Sequence, residues 1–173
     1  MNQFLLVEAS PAHNLDVREL VMKILNEEYA LDLQLAELPD LVDVHHSYRG
    51  QASGNFWVAI EDGSVRGCIG VMQLGRGDFE LRRMYVEAGA RGRGLAQQLL
   101  NVALGWSAAR GVQSIYLETH HRWQAAHHIY EKNGFRPVRR EDLPAEFPVV
   151  RIADGFYRLQ LARGSSTDPG KSA

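Results

Sequence analysis

The spacing of apolar positions changes several times along the chain, and each change marks an element. Phe4 to Glu8 has strand character, and Ser10-Pro11 then supplies an N-cap followed by proline at the first helical position. Leu15, Leu20 and Ile24 recur at helical spacing, which predicts a helix to about Tyr29. Residues 31–50 are less regular. Leu38-Pro39-Asp40-Leu41 is expected to open a second short helix, and Tyr48 to Gly54 to form a loop. Phe56 to Ile60 is β-rich, and Asp62-Gly63 separates it from the apolar run Val65 to Leu74, a strong hairpin signal. After the turn Gly75 to Asp78, Phe79 to Val86 completes an antiparallel meander.

The period then lengthens. Leu95, Leu99, Leu100, Ala103, Leu104 and Trp106 lie at helical spacing, with Gly111 where a helix stop belongs. Gln113 to Thr119 reads as a strand and Trp123 to Asn133 as a helix closed by Asn133-Gly134. Phe135 to Val138 and Gly155 to Leu161 supply the last strands. The order β-α-α-β-β-β-α-β-α-β-β predicts an α+β fold, a mixed, mostly antiparallel twisted sheet with helices on both faces. With 173 residues, no repeat and no dividing linker, one domain is expected over 1–162. The tail 163–173, rich in Gly, Ser, Pro and Thr, is expected to be loosely held.

Composition narrows the function classes. The hydrophobic share of 45% and charged share of 23% are ordinary for a folded globular chain. A net charge of −2 argues against bulk binding of nucleic acid. Cys68 is the single cysteine, so no intrachain disulfide can form, and its apolar neighbours give it the character of a core residue. The N-terminus lacks a basic segment, and no apolar stretch approaches the roughly 20 residues that span a bilayer. A cytoplasmic protein without membrane or nucleic-acid partners is therefore expected.

The segment Arg91-Gly92-Arg93-Gly94-Leu95-Ala96 carries the clearest chemistry. It follows a strand and opens a helix, so its backbone N–H groups lack intrahelical partners. Gly92 and Gly94 let an anion approach the main chain, and the helix dipole adds roughly half a positive charge there. Together these features make a cradle for phosphate or diphosphate. No Gly-Lys-Ser/Thr follows, which excludes a Walker loop, and the preceding meander is unlike a dinucleotide-binding unit.

Arg91, Gly94 and Ala96 match the pattern Arg-x-x-Gly-x-Ala, and downstream stands Ala126-His127-His128-Ile129-Tyr130-Glu131-Lys132-Asn133-Gly134-Phe135. With both motifs in this order, the chain resembles the GNAT superfamily of N-acetyltransferases from about Phe56 to Val138. The resemblance implies the GNAT acyl-CoA N-acyltransferase fold and transfer of acetyl from acetyl-CoA to a primary amine of a small molecule or peptide, by direct attack in a ternary complex. It implies that residues 91–96 hold the diphosphate of acetyl-CoA and that Met84, Tyr85 and Val86 border its pantetheine arm. It also implies that Tyr130 protonates the leaving thiolate.

An attacking amine must lose a proton. Glu80 is the first candidate for the base, on the expectation that it shares a strand face with Arg82 and Met84, and Glu118 is the second. Where the family often has Asn, seven residues before the tyrosine, this chain has Trp123, so that contact is not carried over. The alternative on the same fold is a non-catalytic acyl-CoA-binding sensor, and edge strands leave a homodimer open. The pairs His45-His46, His120-His121 and His127-His128 predict no metal site, because neither cysteine nor paired carboxylate joins them in the sequence.

Overall fold

Alternation along Asn55–Glu61 (β2) sends Trp57 and Ala59 into one apolar core and Phe56 and Val58 into another. A strand covered on both faces needs helices above and below it, and the computed structural model has them. It describes residues 4–51, 53–150 and 153–161. Helix α1 (Asn14–Lys23) buries Val17, Leu20 and Val21 in the second core, and α2 (Leu95–Ala109) buries Leu95, Leu99, Leu100 and Ala103 in the first.

The strands are β1 (Leu5–Glu8), β2, β3 (Ser64–Gln73), β4 (Asp78–Val86), β5 (Ser114–Thr119), β6 (Arg136–Pro137) and β7 (Gly155–Gln160). They form one sheet in the order β1-β2-β3-β4-β5-β7-β6. Every pairing is antiparallel except β4 with β5. Helix α3 (Gln124–Lys132) follows β5 and delivers Tyr130 to the first core. The predicted α+β arrangement and its meander are thus observed, with strand bounds within a residue or so of those expected.

Three local expectations change. The short helix expected from Leu38 is two 3-10 turns, Leu35–Glu37 and Pro39–Leu41, since a residue before proline is driven out of helical backbone. The loop expected from Tyr48 instead begins inside a π-helical turn, His46–Gln51. Tyr48 is fully buried there, and a side chain at Gly70 would collide with its ring. The strand expected over Phe135 to Val138 shortens to Arg136–Pro137, an edge position where proline's missing N–H costs no ladder bond. The tail 163–173 lies outside the described residues.

Candidate active site

The one parallel pairing in the sheet is short. Asp78, Phe79 and Glu80 of β4 face Ser114, Ile115 and Tyr116 of β5, and beyond them no strand among the described residues pairs with that side of β4. The two strands diverge, and a cavity of ≈ 360 Å³ opens in the gap, with Glu80 at its apex and Arg82, Glu118, Thr119 and Tyr130 in its wall. Its far walls come from the segment after α1 (Leu33, Leu38) and from the β6–β7 connection (Val150, Ala153). Tyr29 and Trp123 meet across one side of it, their ring centroids 5.1 Å apart.

At the other end of β4 lies the glycine-containing turn. Gly92 and Gly94 have φ of +73° and +79°, and a Cβ placed on either would project into open space. Among the described residues no backbone carbonyl accepts from the N–H groups of residues 92–97. Open space over N–H groups that no backbone carbonyl satisfies, at a helix N-terminus, fits the diphosphate of acetyl-CoA. The side chains of Arg91 and Arg93, within the stretch expected to hold the diphosphate, are committed elsewhere. Arg91 pairs with Glu28 at 2.7 Å and donates from Nε to the Val86 carbonyl at 2.9 Å, and Arg93 pairs with Glu61. The cradle is therefore a main-chain one.

Between cradle and apex, β4 carries a bulge. Cys68 pairs with Tyr85 and Gly70 with Arg82, so Arg83 and Met84 together oppose Ile69, and Arg83 has φ +54°. The extra residue shifts the alternation of faces. Glu80 keeps Arg82 as a neighbour, its Oε1 3.3 Å from Arg82 Nε, but Met84 turns to the opposite core. The expected common face of Glu80, Arg82 and Met84 thus breaks at Met84. The bulge is held from the other side by Asp40, which accepts from Arg83 Nε at 2.9 Å, from Arg83 Nη2 at 2.7 Å and from the Tyr48 hydroxyl at 2.8 Å. Burial works against the Asp40 carboxylate, but the Arg83 bonds outweigh it and hold its pKa at about 2.

Glu80 is 1% exposed, and burial lifts its pKa to about 7, against the pull of Arg82. A carboxylate that titrates near neutrality is matched to accepting a proton from an ammonium. Burial also raises Glu118, whose Oε2 accepts the Val150 N–H at 3.0 Å. Tyr130 is 6% exposed and packs against Phe135 and Tyr157, and burial raises its phenol above the ordinary value, so it stays protonated at neutral pH. Cys68 is buried and its thiol is pushed up to about 12, which removes it as a nucleophile.

A pH prediction follows from Glu80. The rate of a reaction that uses it as base rises with pH up to about 7 and levels off above it. An acceptor ammonium with a pKa near 10 does not titrate in that window, so the bend belongs to the protein. Glu80→Gln is expected to remove the bend and to lower kcat by about 100-fold or more. A profile with the same bend in the variant contradicts the base assignment. Stability has the opposite sign. The folded value lies above the 4.5 of the exposed carboxyl, so the proton's stabilising effect is complete below about 4.5 and is lost as pH rises through about 7.

The histidines need a correction. The pairing of Thr119 with Gly155 brings Asp154 onto His121, 33 positions away, where it accepts from the His121 backbone N–H at 2.7 Å and bonds to the ring Nδ1. His120, His121 and Asp154 have donor atoms within 4.8 Å of one another, so a carboxylate does join this pair. Their bonding is that of a tether. His120 Nδ1 accepts the Arg122 N–H at 3.2 Å, so in the neutral ring the proton sits on Nε2, toward Asp154. Asp154 was invisible as a partner in the sequence because only strand pairing supplies it. His127 bonds to the His120 carbonyl at 3.0 Å, away from the main cavity, while Trp123 lines it.

A family model described as the Acetyltransferase (GNAT) domain matches residues 52–137. The probable N-acetyltransferase camello of Xenopus tropicalis is 32% identical over 127 residues, covering 70% of this chain and 57% of that protein. The N-acetylaspartate synthetase of Homo sapiens is 32% identical over 139 residues, covering 75% of this chain and 46% of that protein. The chain thus spans about half the length of the curated relatives it matches. Among solved structures, a GNAT-family acetyltransferase from Staphylococcus aureus Mu50 superposes with a TM-score of 0.89 at 27% identity, covering 92% of this chain and 100% of that one. No helix among the described residues is long and apolar enough to cross a membrane.

Proposed function

This chain belongs to the GNAT superfamily of acetyltransferases, and from that premise we propose that it transfers the acetyl group of acetyl-CoA to a primary amine of a small molecule or peptide. The observation that carries the reading is the joining of two sites by one strand. A free main-chain cradle opens at the end of β4, and a cavity holding Glu80, Glu118 and Tyr130 opens along it. The cradle suits the diphosphate, and the uncovered side of β4 suits the amide-bearing arm of the same donor, which brings the thioester and its acetyl group into the cavity.

In this reading Glu80 removes the proton that the amine must lose. The amine nitrogen then bonds to the thioester carbon as the carbon–sulfur bond breaks. Tyr130, protonated at neutral pH, gives its proton to the departing sulfur and is reprotonated, through solvent, by the second proton that the nitrogen sheds as the amide forms. The proton from the amine leaves through Glu80. With the Cys68 thiol buried and its pKa high, direct transfer is favoured over an acyl-enzyme. Two-substrate initial-rate kinetics test this point. Intersecting reciprocal plots are expected for a ternary complex, whereas parallel plots with an acetylated protein detectable by mass spectrometry contradict it.

A further inference from the structure

The charges facing the cavity are unevenly matched. Among the described residues they are Glu37, Glu80, Arg82, Arg83 and Glu118, with His120 beside them. Arg83 is engaged at two points by Asp40. Arg82 sits with its Nε 3.3 Å from Glu80, and its Nη1 lies 3.6 Å from Met72 Sδ. Both guanidinium groups therefore already have a carboxylate. Glu118 and Glu37 have no cationic partner among the described residues. Each takes one backbone N–H, from Val150 at 3.0 Å and from Gln34 at 2.8 Å, on its Oε2 atom alone.

Next to Glu118, Thr119 also contributes to the wall, but its Oγ1 is itself enclosed and without a hydrogen-bond partner, so the free acceptors are the Oε1 atoms of Glu118 and Glu37. The wall thus offers surplus acceptor oxygens. A positively charged ligand is favoured beside Glu118, which is half-buried, since a carboxylate drawn out of water is costly until a cation pairs with it, whereas Glu37 is exposed and adds charge at the rim. The cavity, ≈ 360 Å³, must also admit the acyl end of the donor, which limits the acceptor to a compact molecule.

Resting on the acetyl-transfer reading, we propose that the acceptor is a short diamine, whose second, protonated amino group is held by Glu118 while the first is presented to Glu80. An acceptor carrying a carboxylate at that end meets Glu118 as a like charge, and reaches Arg82 only by displacing Glu80. Glu37, on the segment after α1, adds negative charge to the same cavity.

The test uses the full chain with acetyl-CoA and three acceptors of equal length: butylamine, 1,4-diaminobutane and 4-aminobutanoate. Their tails are neutral, positive and negative, while the nucleophile is the same. We expect kcat/KM for diaminobutane to exceed that for butylamine by about ten- to a hundredfold, the worth of a charge-assisted bond in a partly buried site. Aminobutanoate is expected to be poorest. In Glu118→Gln the ratio of diaminobutane to butylamine falls toward the small statistical advantage of having two amino groups.

Equal use of butylamine and diaminobutane, or a preference for aminobutanoate, overturns the proposal. A ratio preserved in Glu118→Gln while both rates fall overturns the role of Glu118 as the anchor. If other amines are acetylated but none of these three, the diamine assignment fails and acetyl transfer stands. If no amine of any kind is acetylated, acetyl transfer itself fails and the diamine falls with it.

Discussion

Replacing Tyr130 by phenylalanine is expected to lower kcat about 10- to 1000-fold, with acetyl-CoA affinity nearly unchanged. The ring is anchored by its packing against Phe135 and Tyr157, at centroid distances of 5.7 and 6.1 Å, and phenylalanine keeps both contacts. Only the hydroxyl is lost, and no other side chain among the described residues hydrogen-bonds to it. The fold and the donor cradle, on a different helix, are left intact. In the proposed mechanism, what disappears is a proton source beside the departing sulfur. Burial keeps that phenol protonated well above neutral pH, so the general-acid contribution is expected across the whole physiological range. Unchanged turnover in the variant assigns Tyr130 to packing alone. A matched loss of kcat and of donor affinity assigns it to donor binding.

The second large effect is at the cradle. Gly94→Val is expected to weaken acetyl-CoA binding about ten- to a hundredfold, the loss of one charge-assisted hydrogen bond worth ~1.5–3 kcal/mol. Two causes act together. At φ +79° a β-branched residue is strained, by about 1–3 kcal/mol, and its side chain occupies the space through which a phosphate reaches the N–H groups of residues 92–97. Gly105→Ala is the control, since Gly105 lies within α2 where a Cβ meets nothing within 4 Å and no positive φ is required. It is expected to bind acetyl-CoA normally and to be slightly more stable, by about 0.5–1 kcal/mol. Intact donor affinity in Gly94→Val, with the protein folded, contradicts the cradle.

What the sequence made legible was local. Asp62-Gly63 between two β-rich runs located the hairpin, and the 3.6-residue spacing from Leu95 located α2 directly behind the glycine-containing turn. Tyr130 could be singled out because the stretch Ala126 to Phe135 resembles the GNAT motif, a short-range pattern. What stayed hidden depends on residues far apart in the chain. Nothing near Tyr48 announces that it will be buried, because its ring fits the space left by Gly70 and its hydroxyl bonds to Asp40. The bulge at Arg83 is equally silent. Period-two counting assumed a regular strand and therefore put Met84 on the face of Glu80, whereas Asp40 pulls Arg83 aside and reverses it.

The cavity shows the same division. Its apex residue Glu80 was identifiable by its place before Met84 on one strand. The tie from Val150 to Glu118 and that from Asp154 to His121 span 32 and 33 positions. Both arise only when β7 pairs with β5, and both position the connection that walls the acceptor side. The arginines of the turn illustrate the converse error. Their charge was legible, but their partners Glu28 and Glu61 were not, so nothing in the sequence showed that the fold has already paired these side chains.

The most direct test of the central claim is release of free CoA from acetyl-CoA by the purified chain, across small amines, diamines and lysine peptides, with acetyl-CoA binding titrated in parallel. The account predicts saturable acetyl-CoA binding and amine-dependent release, with the acetylated amine as product. Binding without release on any amine contradicts the enzyme and leaves an acyl-CoA sensor. Failure to bind acetyl-CoA at all contradicts the cradle on which the whole account rests.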